Sequence, residues 1–141
     1  MVPIVTIDGP SGSGKGTIAK ALALKLNWNY LDSGLLYRCF AFLHNQDIEN
    51  ISEGFSRIEH RYDSTSENIV FDGNDITSAI RGKELTILSS QLSQKSEVRE
   101  QLMQIQKQYR KMPGLVAEGR DMSSKLFPDS KVKIYLTADL S

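Results

Sequence analysis

No stretch constrains this chain more than Asp8-Gly9-Pro10-Ser11-Gly12-Ser13-Gly14-Lys15. It separates a largely β-branched, apolar run, Val2 to Ile7, from a segment in which Ile18, Ala21, Leu22 and Leu26 fall at helical spacing. A buried strand that ends in a glycine-rich turn and leads directly into a helix is the opening unit of a wound α/β sheet. Gly9 to Lys15 also fits the spacing G-x-x-x-x-G-K. The chemistry of that spacing is phosphate binding. Glycines let backbone N–H groups curl around phosphate oxygens. The next helix adds the positive end of its dipole, and Lys15 brings a mobile ammonium to the β- and γ-phosphates. The strict form of the loop has Ser or Thr after the lysine as a magnesium ligand, whereas this chain has Gly16 followed by Thr17. No side chain at 16 can therefore ligate the ion. Thr17 can reach an α-phosphate, and magnesium is left to nucleotide oxygens and water.

Composition removes several function classes. At 141 residues, with 40% hydrophobic and 24% charged side chains, the chain has the make-up of one ordinary globular domain. Lys and Arg number 17, as do Asp and Glu, so overall charge gives no support to binding a nucleic acid polymer or an anionic membrane. The single cysteine, Cys39, excludes an intrachain disulfide and fits a reducing compartment. The N-terminal apolar run is too short for a signal peptide or a membrane span, so the expected location is cytoplasmic. Asn50-Ile51-Ser52 matches a glycosylation acceptor by chance on this reading.

Further along, Tyr30-Leu31 reads as a short strand closed by Asp32-Ser33-Gly34, and Leu35 to Leu43 as a helix with Leu36, Phe40 and Leu43 on one side. Residues 48 to 82 differ in texture. Asp63-Ser64-Thr65-Ser66 is a turn cluster, and Ile69-Val70-Phe71 and Ile76-Thr77 flank Asp72-Gly73-Asn74-Asp75 as a hairpin, which predicts a small β-rich insert. Helical texture returns at Lys83 to Leu92 and from Ser96, where Val98, Leu102, Ile105, Tyr109 and Met112 form one apolar face that ends at Pro113-Gly114. Leu115-Val116-Ala117 and Val132 to Leu136 read as two more strands. The order predicts an open, mostly parallel sheet flanked by helices.

Gly-Lys-Gly-Thr in place of Gly-Lys-Ser/Thr is the form found in nucleoside monophosphate kinases. Ile7 to Thr17, Leu31-Asp32-Ser33-Gly34 with Tyr37-Arg38, Ser89-Ser90-Gln91, Val98-Arg99-Glu100, and Gly119-Arg120-Asp121-Met122 followed by Phe127-Pro128-Asp129 strongly resemble bacterial-type cytidylate kinases in order and approximate spacing. The resemblance spans essentially the whole chain. It implies the P-loop nucleoside monophosphate kinase fold, with residues 33–110 as the monophosphate-binding region and 48–82 as its β-rich insert. It also implies a single kinase domain over 1–141 without the lid and C-terminal part that follow in the family, and a monomer. The implied activity is transfer of the γ-phosphoryl of ATP, with magnesium held mainly by nucleotide and water, to CMP or dCMP.

Carried over by motif, the donor site is Gly9, Pro10, Ser11, Gly12, Ser13, Gly14, Lys15, Gly16 and Thr17. Ser33, Arg38 and Arg120 surround the acceptor phosphate, and Ser90, Arg99 and Asp121 surround cytosine. Lys15, Arg38 and Arg120 are the implied catalytic groups. These residue types suit the chemistry. Guanidinium forks match phosphate oxygens, and a carboxylate accepts from the cytosine amino group that uracil lacks. Where the family pattern continues Gly-Thr after Met, this chain has Ser123-Ser124, with little consequence expected beyond reduced backbone freedom. Taken alone, Arg38 and Arg99 read as solvated helix charges, and Arg120-Asp121 as a local ion pair. Asp32 reads as a helix cap, His44 and His60 as surface residues, and Cys39, Trp28 and Tyr30 as packing. The alternatives are a kinase acting on UMP or AMP, or a catalytically inactive nucleotide-binding module.

Overall fold

Ile4–Asp8 (β1) is buried at every position, as a strand must be when both faces of its sheet are covered. The computed structural model describes residues 1–137 of the chain. They form two compact units, residues 1–33 with 103 onward, and residues 34–102.

In the first unit β1 lies between Leu115–Gly119 (β6) and Val132–Tyr135 (β7), with Asn29–Asp32 (β2) outside β6. Every pairing is parallel, in the order β2-β6-β1-β7. The glycine-rich loop follows β1 and delivers the chain into Lys15–Leu26 (α1). This helix turns a different face to the core from the one its larger apolar residues suggest. Ala19 and Ala23 are fully buried, whereas Ile18 and Leu26 are about half exposed at 45% and 40%. The small side chains let the helix lie close to the sheet. The buried Ser130 hydroxyl donates to the Ile4 carbonyl, 3.1 Å, or to that of Val132, 2.9 Å. Arg110 donates to the Val2 carbonyl at 2.9 and 3.0 Å and pairs with Asp129 at 2.9 Å, tying down the N-terminal segment. Trp28 packs on Gly114, where an added Cβ would lie 2.4 Å from the ring.

The second unit holds most of Ser33–Asn45 (α2), Ile51–Ser56 (α3), Ile58–Tyr62 (β3), Glu67–Phe71 (β4), Asn74–Asp75 (β5), Thr77–Arg81 (α4), Lys83–Leu92 (α5) and the first half of Ser96–Lys107 (α6). Leu36, Phe40 and Leu43 are buried as the periodicity of α2 predicts, and so are Cys39, Val98 and Leu102. The β-rich insert is an antiparallel sheet, β3-β4-β5. Its hairpin is tighter than the expected one. Asp72 and Gly73, at φ 49° and 80°, make a two-residue turn, and the returning strand is Asn74–Asp75. Ile76 then caps α4 and Thr77 begins it, so neither is in a strand. Helix α6 stops at Lys107, short of the expected Met112, which is 73% exposed. His60 is not a free surface residue, because its ring nitrogen lies 2.8 Å from the Glu67 carboxylate in a half-buried pair.

Candidate functional site

The loop after β1 is shaped by its glycines. Gly12 and Gly14 have φ of 80° and 85°, a left-handed backbone that strains any residue with a Cβ. The Ser13 N–H donates to the Pro10 carbonyl, 3.3 Å, and the Ile18 N–H to that of Gly14, 3.1 Å, so the loop closes on itself and becomes the first turn of α1. The Lys15 ammonium folds back to the Pro10 carbonyl at 3.2 Å. The loop is thus turned tightly by its glycines and runs directly into α1, with the Lys15 cation folded against it.

Gly16 is explained by what faces it. A Cβ there would lie 2.7 Å from Oε2 of Glu118, so the Ser or Thr of the strict loop has no room while that carboxyl stays in place. Glu118 is buried near the end of β6 and receives a long contact from the Tyr30 hydroxyl, 3.5 Å. Burial, with the Asp32 carboxylate beside it, raises its pKa to about 8, and the Lys15 charge opposes the rise. The motifs single out neither Glu118 nor the part played by Asp32. A carboxylate directly after the apolar run Leu115-Val116-Ala117 is the one sign of it in the sequence.

The next residues of the same segment meet the loop directly. The Gly9 N–H donates to the Gly119 carbonyl, 3.2 Å, and Arg120 Nη2 donates to the Ser11 hydroxyl, 3.4 Å. Ser33 is buried against Gly119, where an added Cβ would come within 2.8 Å of the serine Cβ. The structure therefore brings the loop, Ser33 and Arg120 together. Asp121 follows at φ 61° and starts a π-helical turn, Met122–Leu126. Its carboxylate faces Lys125 at 3.7 Å and is not paired with Arg120. A cleft of about 390 Å³ opens here, lined by Gly9, Pro10, Arg120, Asp121, Ser124 and Tyr135 among others. Ser123 has more consequence than its sequence position suggests. Its hydroxyl reaches both the Asp8 carboxylate, 2.9 Å, and the Tyr135 hydroxyl, 2.6 Å.

Arg38, Ser90 and Arg99 belong to the second unit, on α2, α5 and α6. Arg99 Nη1 donates to the Ser93 carbonyl, 3.1 Å. Burial raises the pKa of the Tyr37 phenol, and the Arg99 charge partly offsets the rise, which places the two side chains within electrostatic reach. Ser90 is exposed and Arg38 half-buried. Among the described residues, no group of three His, Cys, Asp or Glu side chains is arranged to hold a metal ion. No described helix is long and apolar enough to cross a membrane.

The family model described as cytidylate kinase matches residues 5–141. The chain is 47% identical over 147 aligned positions to a cytidylate kinase of Stutzerimonas stutzeri (strain A1501), covering 97% of this chain and 64% of that protein. To one of Coxiella burnetii (strain RSA 493) it is 46% identical, covering 97% and 62%, and to one of Escherichia coli (strain K12) 41% identical, covering 98% and 64%. The chain thus spans a little under two thirds of the length of these curated relatives. A family match across nearly every residue, together with a glycine loop held against Gly119 and Arg120, leaves one assignment: the chain belongs to the cytidylate kinase family.

Proposed function

We propose that the protein transfers the γ-phosphoryl group of ATP to CMP and dCMP, forming ADP with CDP or dCDP. The observation that carries this reading is the union of the glycine loop with the Gly-Arg-Asp segment through Gly9–Gly119 and Ser11–Arg120. That union sets the Arg120 guanidinium against the loop, and Asp121 lines the same cleft as Gly9 and Pro10. In this reading the loop amides and Lys15 bind the β- and γ-phosphates and neutralise their charge. Ser33, Arg38 and Arg120 hold the acceptor phosphate, whose oxygen attacks the γ-phosphorus in line as the bond to ADP breaks. That acceptor is already anionic, so no dedicated base is required. Ser90, Arg99 and Asp121 read the cytosine edge. Magnesium, when bound with the nucleotide, supplies charge neutralisation between the phosphates. The buried Glu118 carboxyl beside Gly16, with the Asp32 carboxylate near it, is of the chemical type that accepts hydrogen bonds from its water shell.

The test is a coupled assay of ADP release by the full-length protein with CMP, dCMP, UMP and AMP. Preference for the two cytosine nucleotides is expected. Faster turnover of UMP or AMP would overturn the base assignment, and no turnover with any of them would leave a binding module.

A further inference from the structure

We propose that Asp8, Ser123 and Tyr135 form a cross-strand clasp that positions Arg120 and Asp121; its functional half rests on the reading above. Asp8 and Tyr135 are register partners at the ends of β1 and β7, and Ser123 lies in the π-helical turn after β6. The Asp8 carboxylate is buried, at 6% exposure. It accepts from the Met122 N–H at 2.7 Å, the Ser123 N–H at 3.1 Å and the Ser123 hydroxyl at 2.9 Å. The Tyr135 hydroxyl lies 2.6 Å from that same Ser123 oxygen. Serine has a single O–H, and the carboxylate takes it, so Tyr135 is the donor in the second bond. The relay runs from Tyr135 through Ser123 to Asp8 and ends on a buried anion, the arrangement in which hydrogen bonds are strongest.

The backbone needs such a clasp at this point. Asp121 sits at φ 61°, ψ 24°, where a non-glycine residue persists only if its surroundings hold it. The side chains do little to anchor themselves. Arg120 reaches Ser11 at 3.4 Å, and Asp121 reaches Ser124 at 3.4 Å and Lys125 at 3.7 Å, all at exposed positions. The two amides gripped by Asp8 follow directly after Asp121. Releasing them frees the chain to leave the left-handed region and turns Arg120 and Asp121 away together. Asp8 is therefore a positioning residue. Tyr135 is the clean place to cut the relay, because the residue is 66% exposed and loss of the hydroxyl opens no cavity.

The experiment uses the full-length protein as wild type, Tyr135→Phe, Ser123→Ala and the double variant. Amide hydrogen exchange over residues 122–126 is followed without nucleotide, and kinetics are measured with CMP and ATP. Each single variant is expected to speed exchange there, and to raise the KM for CMP, by about threefold to tenfold, as loss of one net hydrogen bond implies. The KM for ATP should stay within about twofold of wild type, and any fall in kcat should accompany the rise in the KM for CMP, because Arg120 belongs to the released turn. The double variant should go no further than Ser123→Ala alone, because both changes cut the same relay. Unchanged exchange in both single variants, additive effects in the double variant, or a fall in kcat at unchanged CMP KM would each overturn the clasp. If wild type fails to phosphorylate CMP, the nucleotide reading falls, and the exchange result still decides whether the clasp holds the turn.

Discussion

The parallel sheet and the antiparallel insert use the same residue types to opposite effect. In β1 and β6 every position is buried, including the polar side chains Thr6, Asp8 and Glu118. In β3 the positions alternate between half-buried and exposed, and the polar side chains pair with one another: Arg61 with Glu59 at the surface, 3.0 Å, and His60 with Glu67, half-buried, 2.8 Å. A polar group in a continuously buried strand has no water to fall back on, so it persists only with partners or for chemistry. The same group in an alternating strand has solvent on one side and does little beyond fixing register and turns. On this comparison, substitutions beside the parallel sheet should strike function, and substitutions in the insert should cost modest stability alone.

The largest expected effect is at Lys15. Lys15→Ala removes the cation beside the loop and leaves the backbone cradle intact. Phosphoryl transfer should fall by at least about 10²–10³-fold, the scale of losing one stabilising charge contact in a transition state, with little change in thermal stability. The kcat of the purified variant, set beside its melting curve, checks both halves. Near-normal turnover would remove Lys15 from the donor site.

Asp121 comes next, through specificity. UMP would set its O4 against the carboxylate, acceptor against acceptor, so wild type should favour CMP over UMP in kcat/KM by roughly a hundredfold. Asp121→Ala should reduce that ratio to about tenfold or less, chiefly by harming CMP. A ratio that does not move would mean cytosine is read elsewhere. Asp121→Asn, which presents an amide N–H to O4, should narrow the ratio further.

The legibility of the molecule follows the same division. The strand, loop and helix from Ile4 to Leu26 are legible because a β-branched run, three glycines and a lysine leave few other structures. The buried face of α2 is legible because Leu36, Phe40 and Leu43 share one side. Strand β3 is not, since Ile58-Glu59-His60-Arg61-Tyr62 carries too little apolar weight to announce itself, and its pairing with β4 decides it. The core face of α1 is hidden for the converse reason: Ala19 and Ala23 are chosen by closeness to the sheet, which hydropathy does not register. At the site, the residue types of the loop and of Gly119-Arg120-Asp121 can be read directly. The parts played by Asp8, Glu118 and Tyr135 cannot, because they arise from insertion of β6 between β2 and β1 and the addition of β7 at the edge.

Glu118 sharpens the comparison by pH. Its pKa is raised by burial and by Asp32, so the folded state holds a proton that the unfolded chain releases near the ordinary glutamate value. The favourable contribution of that proton is complete below the unfolded pKa, and it is lost as pH rises through the folded value of about 8. Glu118→Gln keeps the shape and cannot ionise. Wild type should therefore lose stability relative to Glu118→Gln between about pH 5 and pH 9, measured as the difference in urea midpoint. A constant difference across that range would show that Glu118 keeps its ordinary pKa in the fold.

The smallest effect is expected in the insert, at Arg57. Its guanidinium donates from Nε to both Asp72 carboxylate oxygens, each at 3.1 Å, and from Nη2 to the same carboxylate. It also lies over the Phe71 ring, 4.7 Å from the centroid, and 3.6 Å from Glu53. Asp72 holds the left-handed turn of the hairpin at φ 49°, so this pair pins the turn to the end of α3. Both partners stand in solvent, where water and salt replace most of what the pair provides. Arg57→Ala should lower the folding equilibrium constant by only about twofold to fivefold. The deficit should shrink at high salt. It should shrink again as pH falls through the Asp72 pKa, which the hydrogen bonds from Arg57 hold below the usual carboxylate range, because protonation dissolves the pair in wild type too. Nucleotide kinetics should not change, since Glu53, Phe71 and Asp72 are not among the proposed site residues. Urea titrations at low and high salt, near neutral pH and near pH 3, together with the KM for CMP, decide it. A collapse of folding in Arg57→Ala, or a large rise in that KM, would show that the insert is as tightly built around its polar groups as the parallel sheet, and the contrast between the two regions would fail.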